Sequence, residues 1–229
     1  METKFLYLLV DFFVIIVCFI FSFHPKLKFH KQWPYFIGAV IPVGLFFIVW
    51  DIQFTHMKIW SFNPKYLTGV YFFDLPIEEY LFFLCVPYAC VFTYHAFDIF
   101  IGEKLKNNSI GKYISYALII LTITATCIFY NKWYTCSTAI ILACLLIFLQ
   151  YKKISFLTLF YLVYGVIFIP FLLSNGILTG GFTKEAVVLY NDSENLGIRI
   201  FTIPIEDVFY GMILLLSNIS LFEYLRNKY

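Results

Sequence analysis

Seven apolar stretches, each about as long as a helix that crosses a bilayer, take up nearly the whole chain. They are Phe5–Phe23, Pro34–Trp50, Pro76–Phe97, Tyr113–Tyr130, Tyr134–Tyr151, Ile154–Ser174 and Pro204–Leu225. A helix satisfies its own backbone hydrogen bonds in hydrocarbon, so the pattern predicts an all-α integral membrane protein with seven transmembrane helices. Composition agrees. The chain is 62% hydrophobic and 13% charged, where a soluble domain carries roughly 25% charged residues. Residues 1–229 read as a single membrane domain with nothing left over for a soluble one. The first run is followed by Ser22-Phe23-His24-Pro25-Lys26 rather than by a small-residue cleavage site, so it reads as a retained anchor.

One polar phrase occurs twice where polarity is costly. Pro76-Ile77-Glu78-Glu79 opens the third run, and Pro204-Ile205-Glu206-Asp207 opens the seventh, 128 residues later. The same offset places Lys4 on Lys132, Pro42 on Pro170, Asn63 on Asn191 and Gly69 on Gly197 without a gap. Spans one to three therefore map onto spans five to seven. The expected architecture is 3-1-3: a first repeat over residues 1–100, a connector with the fourth helix over 101–131, and a second repeat over 132–229. Both repeats then have the same membrane orientation, related by a pseudo-two-fold axis along the membrane normal. Repeats of this kind place functional sites at their interface.

Orientation follows from lysine and arginine in the loops. Lys4, Lys58, Lys65, Lys132, Lys184 and Arg199 fall on one side. Lys26, Lys28, Lys31, Lys104, Lys106, Lys112, Lys152, Lys153, Arg226 and Lys228 fall on the other. Ten against six puts the N-terminus outside and the C-terminus in the cytoplasm.

Ionisable groups at membrane depth mark a functional site by default. The competing reading is structural. Acidic residues in a helix's first turn complement its dipole, a proline suits that turn, and Asp74 and Thr202 stand where caps would. Two copies at equivalent positions favour function. Carboxylates held close together in a low-dielectric site cannot all ionise, and one kept protonated is a general acid beside an ionised base or cation stabiliser. That pairing suits proton-initiated chemistry on an alkene, and equally a proton relay. Tyr71, Phe72, Phe73, Tyr80, Phe82, Phe83, Phe209 and Tyr210 surround the motifs, and aromatic faces stabilise cations. Arg199, five residues before the second motif, is placed to pair with a motif carboxylate or to serve a loop. Asp51, at the end of span two, reads as an interfacial residue, with a place behind the motif carboxylates as the alternative. The six cysteines read as small buried hydrophobes, since none forms a CxxC pair. His24, His30, His56 and His95 form no metal-binding cluster. Neither GxGxxG nor a P-loop is present, span seven has no lysine for a Schiff base, and no basic stripe suggests nucleic acid.

Three segments carry a resemblance. They are Trp60-Ser61-Phe62-Asn63-Pro64-Lys65-Tyr66-Leu67-Thr68-Gly69 running on to Leu75-Pro76-Ile77-Glu78-Glu79-Tyr80-Leu81-Phe82-Phe83, then Val86-Pro87-Tyr88-Ala89-Cys90-Val91-Phe92, and lastly Asn175-Gly176-Ile177-Leu178-Thr179-Gly180 with Asn195-Leu196-Gly197-Ile198-Arg199-Ile200 and Ile203-Pro204-Ile205-Glu206-Asp207. With PxEE and PxED both intact, the chain resembles the integral-membrane, flavin-independent lycopene cyclases, built from two related halves that are here fused. The resemblance implies a redox-neutral isomerisation of lycopene to β-carotene in a bacterial cell membrane, with no cofactor demanded. It implies that Glu78, Glu79, Glu206 and Asp207 are the acid, base and cation-stabilising groups. Trp60, Asn63, Phe82, Phe83, Asn175, Arg199 and Tyr210 become its substrate-binding candidates. The expected partners are lycopene and related carotenoids, membrane lipid and other carotenoid-pathway enzymes.

Some relatives cyclise C50 carotenoids or form ε- or γ-rings. A 3-1-3 transporter is the rival from another class, but it predicts polar residues along a path across the bilayer. The middles of spans one, two, five and six carry almost none apart from Asp11. A purely structural subunit, with acidic phrases that only cap helices, is the third reading.

Overall fold

The computed structural model describes residues 3–105 and 109–228. Lys106, counted above for the cytoplasmic side, lies outside the described residues. Seven long helices are present among those described: α1 (Leu6–Phe21), α2 (Trp33–His56), α3 (Ile77–Phe97), α4 (Ile110–Ile128), α5 (Trp133–Tyr151), α6 (Leu157–Leu178) and α7 (Ile205–Lys228). Helices α2 to α7 are long and apolar enough to cross a membrane. Helix α1 has 16 residues, about 24 Å at 1.5 Å per residue, shorter than a hydrocarbon core of about 30 Å.

Two boundaries differ from expectation in a way that matters. Helix α2 continues past Trp50 to His56, and α6 past Ser174 to Leu178. Nothing in Asp51-Ile52-Gln53-Phe54-Thr55 breaks a helix. Asp51 and Asn175 therefore sit on helices rather than in loops.

The connections into α3 and α7 are hairpins. Strands β1 (Trp60–Phe62), β2 (Tyr71–Phe72) and β3 (Leu75–Pro76) precede α3, and β4 (Val188–Tyr190), β5 (Arg199–Ile200) and β6 (Ile203–Pro204) precede α7. Strand β2 pairs antiparallel with β3, and β5 with β6. Phe73 and Asp74 both have positive φ at the first turn and Phe201 at the second, as two-residue hairpin turns require. The motif prolines end these strands instead of opening the helices. Pro76 is extended (ψ 148°) at the helix boundary, with no side-chain cap. Asp74 faces His56 (3.3 Å), and the Thr202 hydroxyl lies 2.6 Å from that of Thr179, so neither residue caps the helix it precedes.

Strands β1 and β4 pair with each other, joining the two connections across the sequence. Their antiparallel register is Trp60↔Tyr190, Ser61↔Leu189 and Phe62↔Val188. Asn63 N–H donates to the Val187 carbonyl and Asn191 N–H to the Ile59 carbonyl, both at 2.8 Å. Each of those asparagines also accepts, through its Oδ1, the N–H two residues on, at 3.1 Å. The pattern repeats at the 128-residue offset, and the central pair, Ser61 and Leu189, are themselves that far apart.

Helix α3 packs on α1, α2, α6 and α7, and α7 packs on α2 and α5. Helix α4 is peripheral, against α5 and α6. Gly111 allows it close to α6, because a Cβ there would come within 2.5 Å of the Thr158 nitrogen. The core is apolar and aromatic, with Phe29, Phe36, Phe47, Leu146, Leu216 and Phe222 buried, while Phe13, Ile41, Ile120 and Ile169 face outward as lipid-facing residues would. Cys85 and Cys90 are buried, but Cys127 and Cys144 are exposed, so the buried reading of all six cysteines is corrected. Lipid-facing positions tolerate a small apolar side chain as well as core ones do. The motif helices are not equally enclosed. Helix α2 packs along α3, whereas α6 and α7 lack comparable contact among the described residues. They are bridged instead by the Tyr164 hydroxyl, which donates to the Val208 carbonyl.

Candidate active site

The gap beside α6 is a cavity of about 580 Å³. Its walls are mostly apolar, with Val10, Phe82, Val86, Phe168, Phe171 and Leu214 among them, and the lining residues Leu9 and Phe13 of α1 and Leu173 of α6 are exposed. Polar groups gather where the hairpins meet the helices. They are Tyr7, Asp51, Trp60, Glu79, Tyr134, Asn175, Tyr190, Asp207 and Tyr210. An apolar pocket with a few converging polar groups is the usual form of a small-molecule site.

The second carboxylate of each acidic phrase lines this cavity. Glu79 is buried in the first turn of α3. The Tyr7 hydroxyl donates to its Oε1 at 2.6 Å, and its carboxyl lies against that of Asp51, which lines the same cavity. The Trp60 indole N–H donates to Asp51 Oδ1. Asp207 is buried in the first turn of α7 and accepts two tyrosine hydroxyls, Tyr134 on Oδ1 (2.5 Å) and Tyr190 on Oδ2 (2.9 Å). The Tyr134 and Tyr190 rings stack, with centroids 6.1 Å apart. The enclosed position of the Tyr190 hydroxyl, and then the Asp207 charge, push it well above the ordinary tyrosine range, so it remains a donor.

The first carboxylate of each phrase is bonded differently. Glu78 accepts the Thr68 N–H at 2.7 Å and Glu206 accepts the Leu196 N–H at 2.8 Å, again 128 residues apart. Thr135 also donates to Glu206, at 2.6 Å. Both carboxylates are buried and neither lines the cavity. Each ties the loop before its hairpin to the start of its helix.

Two matching acidic phrases, converging through one residue each on one apolar cavity, agree with what sequence comparison finds. The family model described as Lycopene cyclase matches residues 4–97 and again 131–225. The chain belongs to the lycopene cyclase family. Membership implies a cyclisation reaction on a carotenoid, and the long apolar helices fit a multi-pass membrane protein. No curated protein and no solved structure matches the chain.

For this lycopene cyclase family member, the cavity takes in most of the expected contact residues and leaves out two. Trp60, Phe82, Phe83, Asn175 and Tyr210 line it. Asn63 does not, since its Nδ2 donates to Glu185, which also pairs with Lys65 at 2.7 Å. Arg199 pairs with Asp192 on the loop and donates to the Thr202 carbonyl. Its guanidinium lies 5.9 Å from the Tyr190 ring at the edge of the site. Asp51 is buried and lines the cavity rather than the interface, which favours the alternative reading of it over the interfacial one. Sequence reasoning also passed over Tyr7, Tyr134 and Tyr190. Asp11 is buried one helical turn from Tyr7, and neither carboxyl oxygen has a partner among the described residues.

Proposed function

We propose that the chain is a lycopene β-cyclase that converts the linear ψ-ends of lycopene into β-ionone rings, giving β-carotene. The observation that carries this reading is the convergence of Glu79 and Asp207, one from each family-matched segment, on a single apolar cavity. A carboxylic acid adds a proton to the terminal double bond. The tertiary cation is attacked by the neighbouring alkene, and loss of a ring proton leaves the β-ring. One proton enters and one leaves, so the reaction is a redox-neutral isomerisation. Phe82, Phe83, Trp60 and Tyr210 present aromatic faces to the cation. Glu78 and Glu206 hold the motif turns in register. Lycopene enters from the bilayer between α1 and α6, where exposed apolar side chains line the cavity.

The architecture that goes with this reading is two parallel three-helix repeats about a pseudo-two-fold axis, with α4 as the connector. The hydrogen bonds that recur at an offset of 128, from Thr68 to Glu78 and from Leu196 to Glu206, support it. The lysine balance supports insertion in a bacterial inner membrane with the N-terminus out and the C-terminus in.

Expression of the chain alone in a lycopene-accumulating bacterial host tests the function, with pigments resolved by chromatography. β-Carotene is the expected product. Unchanged lycopene, with the protein in the membrane, would sink the β-cyclase assignment. A different ring type or a single ring would reassign the product.

A further inference from the structure

We infer that Asp51 and Glu79 hold one proton between them, and that this pair is the acid that protonates the substrate, with Asp51 as the positioning residue. The inference rests on the cyclase reading.

An ionised carboxylate only accepts hydrogen bonds, so two carboxyls bond to each other only while one keeps a proton. Asp51 and Glu79 are both buried in the wall of one cavity with their carboxyls against each other, the placement such a bond requires. Their other donors are neutral. Trp60 N–H goes to Asp51, and Tyr7 O–H goes to Glu79. Arg199, Arg226 and Lys65 place their charges elsewhere, on Asp192, on Asp98 and Glu223, and on Glu185. Two buried carboxyls with no cation facing them among the described residues are held together best by a shared proton.

The second half differs at this point. The residue 128 after Asp51 is Thr179, whose hydroxyl meets Thr202. Asp207 thus has no second carboxyl from that helix. A tyrosine hydroxyl donates to each of its oxygens, the bonding pattern of an ionised carboxylate. The halves are alike in backbone but opposite in proton content. The acid stands on the α3 side of the cavity and the base on the α7 side.

The step balances. The shared proton moves to the terminal alkene carbon, leaving two carboxylates facing the new tertiary cation. The internal alkene forms the ring carbon–carbon bond. Asp207 takes the ring proton and returns it to the pair across the common cavity, with no net proton or electron consumed.

Infrared spectroscopy of the purified protein in detergent tests the shared proton without substrate. Asp51→Asn and Glu79→Gln are each expected to lose the same protonated-carboxyl carbonyl band, one that shifts in deuterium oxide. In the lycopene-accumulating host, Asp51→Asn is expected to lower cyclic product at least about 100-fold at equal membrane protein, and Asp51→Glu to recover to within about tenfold of wild type. Asp51→Thr, which copies the second half, carries the same comparison if Asp51→Asn is absent from the membrane. Survival of the band in these Asp51 variants overturns the shared proton, and near-normal product from them overturns the role of Asp51. A wild-type chain that makes no cyclic carotenoid would sink the cyclase reading instead, and the infrared result would stand apart from it.

Discussion

The hydroxyl of Tyr7 lies 2.6 Å from Oε1 of Glu79, reaching it from α1, the shortest of the seven helices. A hydrogen bond to an ionisable partner contributes about 1.5–3 kcal/mol, and 1.36 kcal/mol is tenfold in rate. Tyr7→Phe is therefore expected to slow cyclisation about 10- to 100-fold while the protein still inserts. Rates of cyclic product formation in isolated membranes, normalised to protein, check this.

Of the two carboxylates in each motif, one lines the cavity and the other does not. Glu78→Gln keeps an oxygen for the Thr68 N–H, and Glu206→Gln keeps one for the Leu196 N–H and the Thr135 hydroxyl. Both variants should retain product to within about tenfold of wild type, with a stability loss on the order of 1 kcal/mol. Glu79→Gln and Asp207→Asn should abolish product at normal protein levels. Equal loss in all four would show that the distinction drawn from the cavity lining is mistaken.

Tyr190 gives a prediction in pH. Its hydroxyl is held above the ordinary tyrosine range by its enclosed position and by the Asp207 charge. The folded value is raised, so its stabilising contribution is full below the unfolded value, about pH 10, and is lost as pH rises through the folded value. In an ultraviolet titration, Tyr190→Phe should leave the tyrosinate signal near pH 10 unchanged. A drop by one tyrosine's amplitude would refute the enclosed hydroxyl.

Asp11 is a liability in the folded state, since both its carboxyl oxygens are buried without a partner among the described residues. A buried unpaired polar group costs about 1–3 kcal/mol. Asp11→Leu should raise thermal stability in detergent by that amount. It should leave the pigment profile intact, because the side chain does not line the cavity. Loss of product in a well-folded Asp11→Leu chain would mean that Asp11 takes part in proton movement.

The number of helices, the motif helices and the cavity residues nearest the motifs were legible in the sequence. Apolar run length and an exact 128-residue offset are local or periodic signals, and Phe82, Phe83, Trp60 and Tyr210 lie close to a motif or within a matching segment. The partners of the carboxylates were not. Tyr7 meets Glu79 across 72 residues and Tyr134 meets Asp207 across 73. A lone tyrosine at the end of an apolar run looks the same whether it faces headgroups or a carboxylate. Asp51 does give a signal, as a charge beside an apolar run, but that run ends at Trp50, six residues before the helix ends at His56. A charge just past an apolar run has the look of a residue at the water interface.

The shared cavity has a consequence for any substrate whose two ends are alike. One chamber holds both Glu79 and Asp207, and exposed side chains of α1 and α6 are part of its lining. A long symmetric polyene threads in by one end while its other end trails in the lipid. Finishing both ends takes two separate visits, with a half-finished molecule released or turned around in between. The residence time of that molecule near the membrane mouth, as much as the chemistry inside, then sets the ratio of one-ringed to two-ringed product.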